Sequence, residues 1–305
     1  MTFLVVREYN EDGAVEAVED YLSLITAGDA SGANAVVAPG AGGPSLLTDE
    51  ALSSATAPLQ VDQVTLGSDE DQSGDKMSVV TVHYTVGDES GTADLDVWRD
   101  DSFLFDSWHI VEPLAVGVVL GPDVSESGLV RVGGTTLSDS GAYVTFPGVY
   151  ELDVVDHPYL TLSAQELTVV HTSNPAALIE SPIELVPTEA LLSETRKQVD
   201  AQVSACAAAA PTMPADCPEE RWEGPDDAGP LVVLEPTSVA FDDGAAVTTR
   251  RAKDGGVTSR ISFSGSGTYS YADGRPGARP FTVSGTAEFT RETVTVTYDG
   301  VAASR

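Results

Sequence analysis

Two cysteines, Cys206 and Cys217, have the chemistry that the sequence bounds most tightly. Ten residues separate them in CAAAAPTMPADC, which is neither a C-x-x-C redox motif nor half of a zinc site, because no second pair accompanies it. As a disulfide the pair closes a short loop, stabilises by roughly 2.5–3 kcal/mol on the chain-entropy estimate, and indicates an oxidising compartment. As two buried free thiols it does neither. The segment Asp69-Glu-Asp-Gln-Ser-Gly-Asp75 matches the start of a calcium loop, with Asp69, Asp71 and Ser73 at positions 1, 3 and 5, Gly74 at 6 and Asp75 next. Position 12 is Val80, which has no bidentate carboxylate to give, so a solvated acidic turn is the competing reading. Ser73-Gly-Asp-Lys76 fits S-x-x-K by letter, but it sits in that acidic loop rather than at a helix start. Gly265-Ser-Gly267 lacks the lysine and following helix of a phosphate loop, and His109 and His157 have no partners at ligand spacing.

These residues belong to a chain of 305 with 48 Asp+Glu, 15 Lys+Arg and a formal charge of −33. Such a surface repels nucleic-acid phosphates and anionic headgroups, which excludes a nucleic-acid or bare-membrane binder. No run of about 18 apolar residues is present to span a bilayer. At 42% hydrophobic and 21% charged the chain is globular, long enough for two or three domains. Only Lys76, Lys197 and Lys253 are lysines, against 12 arginines, a bias that fits a GC-rich genome or an acidic, salt-adapted surface. Residues 246–305 carry a net +3 and the preceding 245 a net −36. This asymmetry reads either as chance on solvated faces or as a basic C-terminal sheet facing the acidic body or an acidic ligand.

The elements follow from periodicity. Val15, Val18, Leu22 and Ile25 lie at helical spacing in 13–27, and Gly28 ends that helix. Asp29 caps a short second helix, and Thr48 caps a helical turn through Ser54. Strands then take over. Val80, Val82, Tyr84 and Val86 share one face of 78–86 while Thr81, His83 and Thr85 share the other, and Ala93, Leu95 and Val97 alternate with Asp94, Asp96 and Trp98. A turn at Arg99–Asp101 leads into 103–111. Residues 116–185 read as short strands separated by Gly, Pro, Ser and Asp, as in a small β-sandwich. A helix over 188–208 presents Leu192, Thr195, Val199, Val203 and Cys206 on one side, and Pro211 and Pro214 forbid its continuation. Pro214 also stiffens the return that brings Cys217 back toward Cys206. Five strands follow, at 231–234, 245–249, 259–271, 281–289 and 293–298, with Gly285 marking a bulge. The expectation is an α+β chain of three parts: 10–115 as a cystatin-like α+β roll, 116–186 as a small β-sandwich, and 187–305 as a helix on an antiparallel sheet, for which a degenerate second copy of the first is an alternative reading.

Specific residues carry resemblances. Ala14-Val-Glu-Ala-Val-Glu-Asp-Tyr-Leu-Ser-Leu-Ile-Thr-Ala-Gly-Asp-Ala30 resembles the opening of nuclear-transport-factor-2-like domains in bacterial envelope proteins, and Ser107-Trp-His-Ile-Val-Glu-Pro-Leu114 resembles their closing strand. Leu129-Val-Arg-Val-Gly-Gly134 followed by Val144-Thr-Phe-Pro-Gly-Val-Tyr-Glu151 resembles PEGA-type envelope modules, in which Gly148 would make the turn and Tyr150 return to the core. The whole resembles membrane-anchored envelope proteins of GC-rich Gram-positive bacteria. Met1-Thr-Phe-Leu-Val-Val6 has no basic n-region and too short an apolar run for a signal peptide. Read literally the chain is cytosolic; the cysteine pair and the resemblance point instead to an extracytoplasmic address, with an anchor or signal upstream of this start.

Ketosteroid isomerases and polyketide cyclases, which resemble such rolls, use a carboxylate or histidine as general base beside an oxyanion donor. The positions here that could serve are His83, Asp94 and Asp96 with Tyr21 or Tyr84, but the alternation puts His83 and both aspartates on polar faces. The leading expectation is therefore a non-enzymatic extracytoplasmic module that binds or spaces cell-envelope components, with no cofactor. The alternative is a small-molecule-binding or isomerase-like roll with a cavity near His83, Tyr84 and Asp96.

Overall fold

A computed structural model describes residues 2–37, 46–67, 77–102, 105–138, 142–171, 178–209, 217, 231–233, 235–253, 256–274 and 279–299. The candidate calcium loop at Asp69, Asp71, Ser73 and Asp75, and Lys76 beside it, lie outside the described residues. The chain is an α+β protein whose contacts divide it into two units, Met1–Asp153 with Ala164–Ile183, and Val154–Ser163 with Glu184–Arg305.

In the first unit, helix α1 (Thr2–Thr26) starts well before the expected residue 13. Ala14, Val18, Tyr21, Leu22 and Ile25, spaced for one helical face, are all buried. A glycine inside a helix usually destabilises it; at Gly13 a Cβ would stand 2.7 Å from Nε1 of Trp108, so the missing side chain admits the indole. Gly28, at φ +80°, turns the chain out of the helix. The Asp29 N–H reaches back to the Leu24 carbonyl at 2.9 Å, the long closing bond of a Schellman end. Helix α2 (Ala30–Ala35) is capped by Asp29, and α3 (Asp49–Ser53) by Thr48, as expected. The Asp49 carboxylate accepts both the N–H and the hydroxyl of Ser31 at 2.7 Å, which holds its carboxyl below the ordinary range.

After β1 (Ala55–Pro58), the strands β2 (Gln60–Leu66), β3 (Met77–Val86), β4 (Glu89–Ser102) and β5 (Phe105–Ile110) pair antiparallel in sequence order. Their inner face supplies Val80, Val82, Tyr84, Val86, Leu95, Val97 and Ile110 to the core shared with α1. The turn expected at Arg99–Asp101 is strand instead. Arg99 pairs with Trp108 and Asp100 with Ser107, so the β4–β5 hairpin runs longer than its charged residues suggest.

The expected boundary at 115/116 has no counterpart in the contact grouping. β1 pairs with the strand Gly148–Val154, and the Leu46 N–H reaches the Val144 carbonyl at 2.8 Å, so most of the short strands after 116 share one unit with the helices before it, whereas Leu160–Leu162 pairs with Leu185–Pro187 in the second unit. Ile179–Glu180 pairs in parallel with Val116–Val119, which pairs antiparallel with Ala142–Thr145. Gly133 and Gly134, both at positive φ, make the two-residue turn between Val130–Val132 and Thr135–Thr136. Gly148 lies in its strand without positive φ. A Cβ there would stand 3.2 Å from the Tyr150 ring, so its smallness serves packing rather than the expected turn. Tyr150 is fully buried, and its hydroxyl donates to the Phe146 carbonyl at 2.8 Å.

The second unit places the Glu189–Ala209 helix against a six-stranded antiparallel sheet. Its buried side is Leu191, Thr195, Val199, Val203, Cys206 and Ala207, with Leu191 rather than Leu192 starting the stripe. The long strand Val257–Tyr271 organises the sheet. Along one edge it pairs in turn with Thr248–Arg251, Ser238–Phe241 and Leu231–Val233, and along the other with Arg279–Phe289, which pairs with Val294–Tyr298. No bulge occurs at Gly285: register is continuous from Ser259↔Phe289 to Tyr269↔Arg279. A Cβ at Gly285 would stand 2.2 Å from the Thr297 carbonyl and 3.1 Å from the Phe263 ring, which is why glycine occupies it.

Candidate functional site

Strict alternation along β4 puts Gly91, Ala93, Leu95 and Val97 inside, and leaves Ser90, Thr92, Asp94, Asp96 and Trp98 exposed on the opposite, outer face. The neighbouring strands complete this face by register, with Thr81 beside Asp94, His83 beside Thr92, Val79 beside Asp96, and both Met77 and His109 beside Trp98. Hydrogen bonds tie the pairs together. The Thr81 hydroxyl donates to Asp94 at 2.6 Å, and Nδ1 of His83 lies 3.0 Å from the Thr92 hydroxyl. The His109 ring stacks on the Trp98 indole, centroids 6.0 Å apart and planes 29° from parallel, with the Ser107 hydroxyl 3.2 Å from its Nε2. Trp98 keeps 40% of its surface open to solvent.

Tyr84 lies on the other side of the same sheet. Its ring covers Gly91, where a Cβ would stand 2.4 Å from it, and its buried hydroxyl accepts the His171 N–H at 2.8 Å. Burial pushes the Tyr84 phenol up to about 12 and holds it protonated. The structure therefore splits the sequence-predicted trio: His83 and Asp96 face solvent, and Tyr84 faces the core. Tyr21 is likewise buried, and its hydroxyl accepts the Leu114 N–H at 2.8 Å. Burial raises its phenol well above the ordinary value. Both tyrosines satisfy backbone donors inside the core. Among the described residues no carboxylate is buried, and no three His, Cys, Asp or Glu side chains stand close enough to hold a metal ion.

An open groove of about 580 Å³ adjoins the start of β4, lined by Glu89, Ser90, Thr92, Thr168, Val170, His171 and Ile179. The sequence reading missed His171, which lies two residues beyond the strand Glu166–Val169 with no motif around it; no local signal marks it. Its half-buried ring hydrogen-bonds to the Ala115 backbone, and its Nε2 is buried without a partner. Burial outweighs that bond and lowers the imidazole below its usual range, so it is neutral at pH 7. Ser90 and Thr92 belong both to the groove and to the exposed row, so the two form one continuous surface.

The second unit contains the disulfide. Cys206 and Cys217 are joined, with Cα atoms 5.7 Å apart, and both are buried. His157 sits elsewhere in this unit, edge-on to Tyr159 and Phe289 with centroids near 6 Å. Its Nδ1 accepts the Tyr159 N–H at 3.3 Å, and Arg291 beside it is paired with Asp156. Among the described residues no helix is long and apolar enough to cross a membrane. No family of known proteins, no curated protein and no solved structure matches the chain.

Proposed function

We propose that this protein is a non-enzymatic, extracytoplasmic module of a bacterial cell envelope that binds or spaces envelope components, its residues 10–115 built as a cystatin-like roll of the nuclear-transport-factor-2-like kind. The observation that carries the address is the Cys206–Cys217 disulfide, because such bonds persist in oxidising compartments and are rare in the cytosol. The binding role is supported by a surface that offers hydrogen bonding and stacking, and by tyrosines engaged in holding the core. The roll is supported by α1 lying on a four-stranded antiparallel meander. The test is made in the native cell. Thiols are blocked with a membrane-permeant alkylating reagent before lysis, and intact cells are treated with protease. A disulfide-linked Cys206–Cys217 peptide and digestion without lysis are expected. Two alkylated cysteines, or digestion only after lysis, would overturn the reading.

A further inference from the structure

We infer that the outer face of β4 is a binding track for a linear, uncharged glycan, an assignment that rests on the binding role proposed above and supplies its ligand class. Ser90, Thr92, Asp94, Asp96 and Trp98 follow one another at every second residue of one regular strand. From Ser90 to Trp98 this is roughly 26 Å at about 3.3 Å per residue, the reach of several sugar rings in a row. The track opens at its Ser90 end into the groove, which gives a chain a way on or off the sheet. At the other end the indole stands 40% exposed and is backed by the His109 ring, which fixes its orientation before any ligand arrives.

The polar groups suit sugar hydroxyls. A carboxylate accepts from adjacent hydroxyls; Ser90, Thr92 and His83 offer donors and acceptors at one end of the strand, and the second oxygen of Asp94 and the carboxylate of Asp96 offer acceptors toward the other. The apolar CH face of a pyranose covers the indole while its edge bonds outward. The charge narrows the class. With a formal −33 overall and Asp94 and Asp96 on the track, an anionic polymer is repelled. A basic peptide would be attracted to acidic residues throughout the first 245, which carry a net −36. It would gain little from Asp94, whose oxygen already accepts from Thr81, and would not select this face.

The experiment uses the full chain, purified oxidised, titrated calorimetrically with linear hexasaccharides of glucose, of mannose and of N-acetylglucosamine. Binding of at least one is expected. Trp98→Ala should weaken it about tenfold and Trp98→Phe much less, as loss and partial return of a stacking contact require. Asp96→Asn should weaken it by a smaller factor. Raising salt to 0.5 M should change it less than about twofold, since no ion pair is made. These side chains are exposed, and an unchanged melting temperature verifies each variant's fold. Failure of all three sugars, or binding indifferent to Trp98→Ala in folded protein, overturns the assignment. So does selective capture of an oligoarginine peptide that salt abolishes. The cellular disulfide and protease test is independent of this one, so failure of the ligand class and failure of the compartment are told apart.

Discussion

The chain builds a helix on an antiparallel sheet twice, and the two layers are fastened and finished differently. In the first unit α1 is fixed from inside, by the Tyr21 hydroxyl on the Leu114 N–H, with Tyr84 doing the same service for His171 across the sheet. In the second unit the helix is pinned along its polar side. Asp200 accepts the Thr237 N–H at 2.7 Å, Gln198 donates to the Val294 carbonyl at 2.9 Å, and the disulfide secures its last turn. The solvent faces differ as well. Ser262, Ser264, Ser266, Thr282 and Ser284 make the second sheet's exterior a field of hydroxyls crossed by the Arg260–Glu288 ion pair, 2.5 Å at its closest approach. The first sheet's exterior adds two carboxylates, two histidines and an exposed indole. Alternating polar residues keep either sheet in water. Only the first carries groups that solvation alone does not require.

The largest expected break of this comparison is removal of the staple. Replacing Cys206 and Cys217 together by Ser should cost about 3 kcal/mol, the entropy of closing an 11-residue loop. Hydrogen exchange should localise the loss to the second unit, in the Glu189–Ala209 helix and the strands it contacts. Equal acceleration throughout α1 and β2–β5 would show that the disulfide supports the whole chain. The smaller counterpart is Tyr21→Phe, which leaves the buried Leu114 N–H without its acceptor and should cost about 1–3 kcal/mol. Exchange should then rise in the first unit, and a change confined to the second would contradict the division of labour.

Which features were legible in the sequence follows from their range. The alternation of Val80, Val82, Tyr84 and Val86 and the 3.6-residue spacing of Val18, Leu22 and Ile25 report burial residue by residue, so β3, β4 and α1 were readable. The cysteine pair was readable because prolines at 211 and 214 cannot continue a helix and the two cysteines stand only 11 residues apart. Long-range pairing was not. Nothing local in Ala55–Pro58 signals Gly148–Val154, whose pairing joins the regions expected to separate at residue 115. Ser238–Phe241 escaped notice because it is short and sits between polar turns; its partner is the long strand at 257–271. Glycines misled where the neighbour, rather than the backbone, demands them: Gly285 makes room for Thr297 and Phe263 without a bulge. In the candidate site, alternation puts His83, Asp96 and Trp98 opposite the apolar positions of their strands, but nothing local signals that His109 stacks on Trp98. The row of β4 side chains becomes a continuous surface only when the register of three strands is known.

The smallest expected effect is acid dependence, and it sharpens the comparison because each unit contains a half-buried histidine whose Nε2 is buried without a partner. Burial, then the charge of Arg291, lowers His157; burial lowers His171 against the bond to Ala115. A histidine lowered in the folded state binds its proton more readily when unfolded, so its neutral form stabilises the fold at pH above the ordinary value near 6.5. That contribution declines as pH falls below this value and is gone once pH passes the lowered folded value. The consequence for each ring differs. Protonating His157 removes the lone pair that accepts the Tyr159 N–H and sets a cation beside Arg291, whose own counter-charge, Asp156, is already engaged. Protonating His171 charges a ring whose Nε2 has no partner, against the groove. His157→Gln should flatten the acid decline of the second unit and His171→Gln that of the first, each by less than the Tyr21→Phe effect. Hydrogen exchange at pH 7.5 and pH 5, corrected for intrinsic exchange, tests the second unit: the Tyr159 amide should lose protection at acid pH in the parent protein and in His171→Gln. In His157→Gln its rate, corrected for intrinsic exchange, should no longer depend on pH. Acceleration that persists there would assign the acid sensitivity of the second unit to another group.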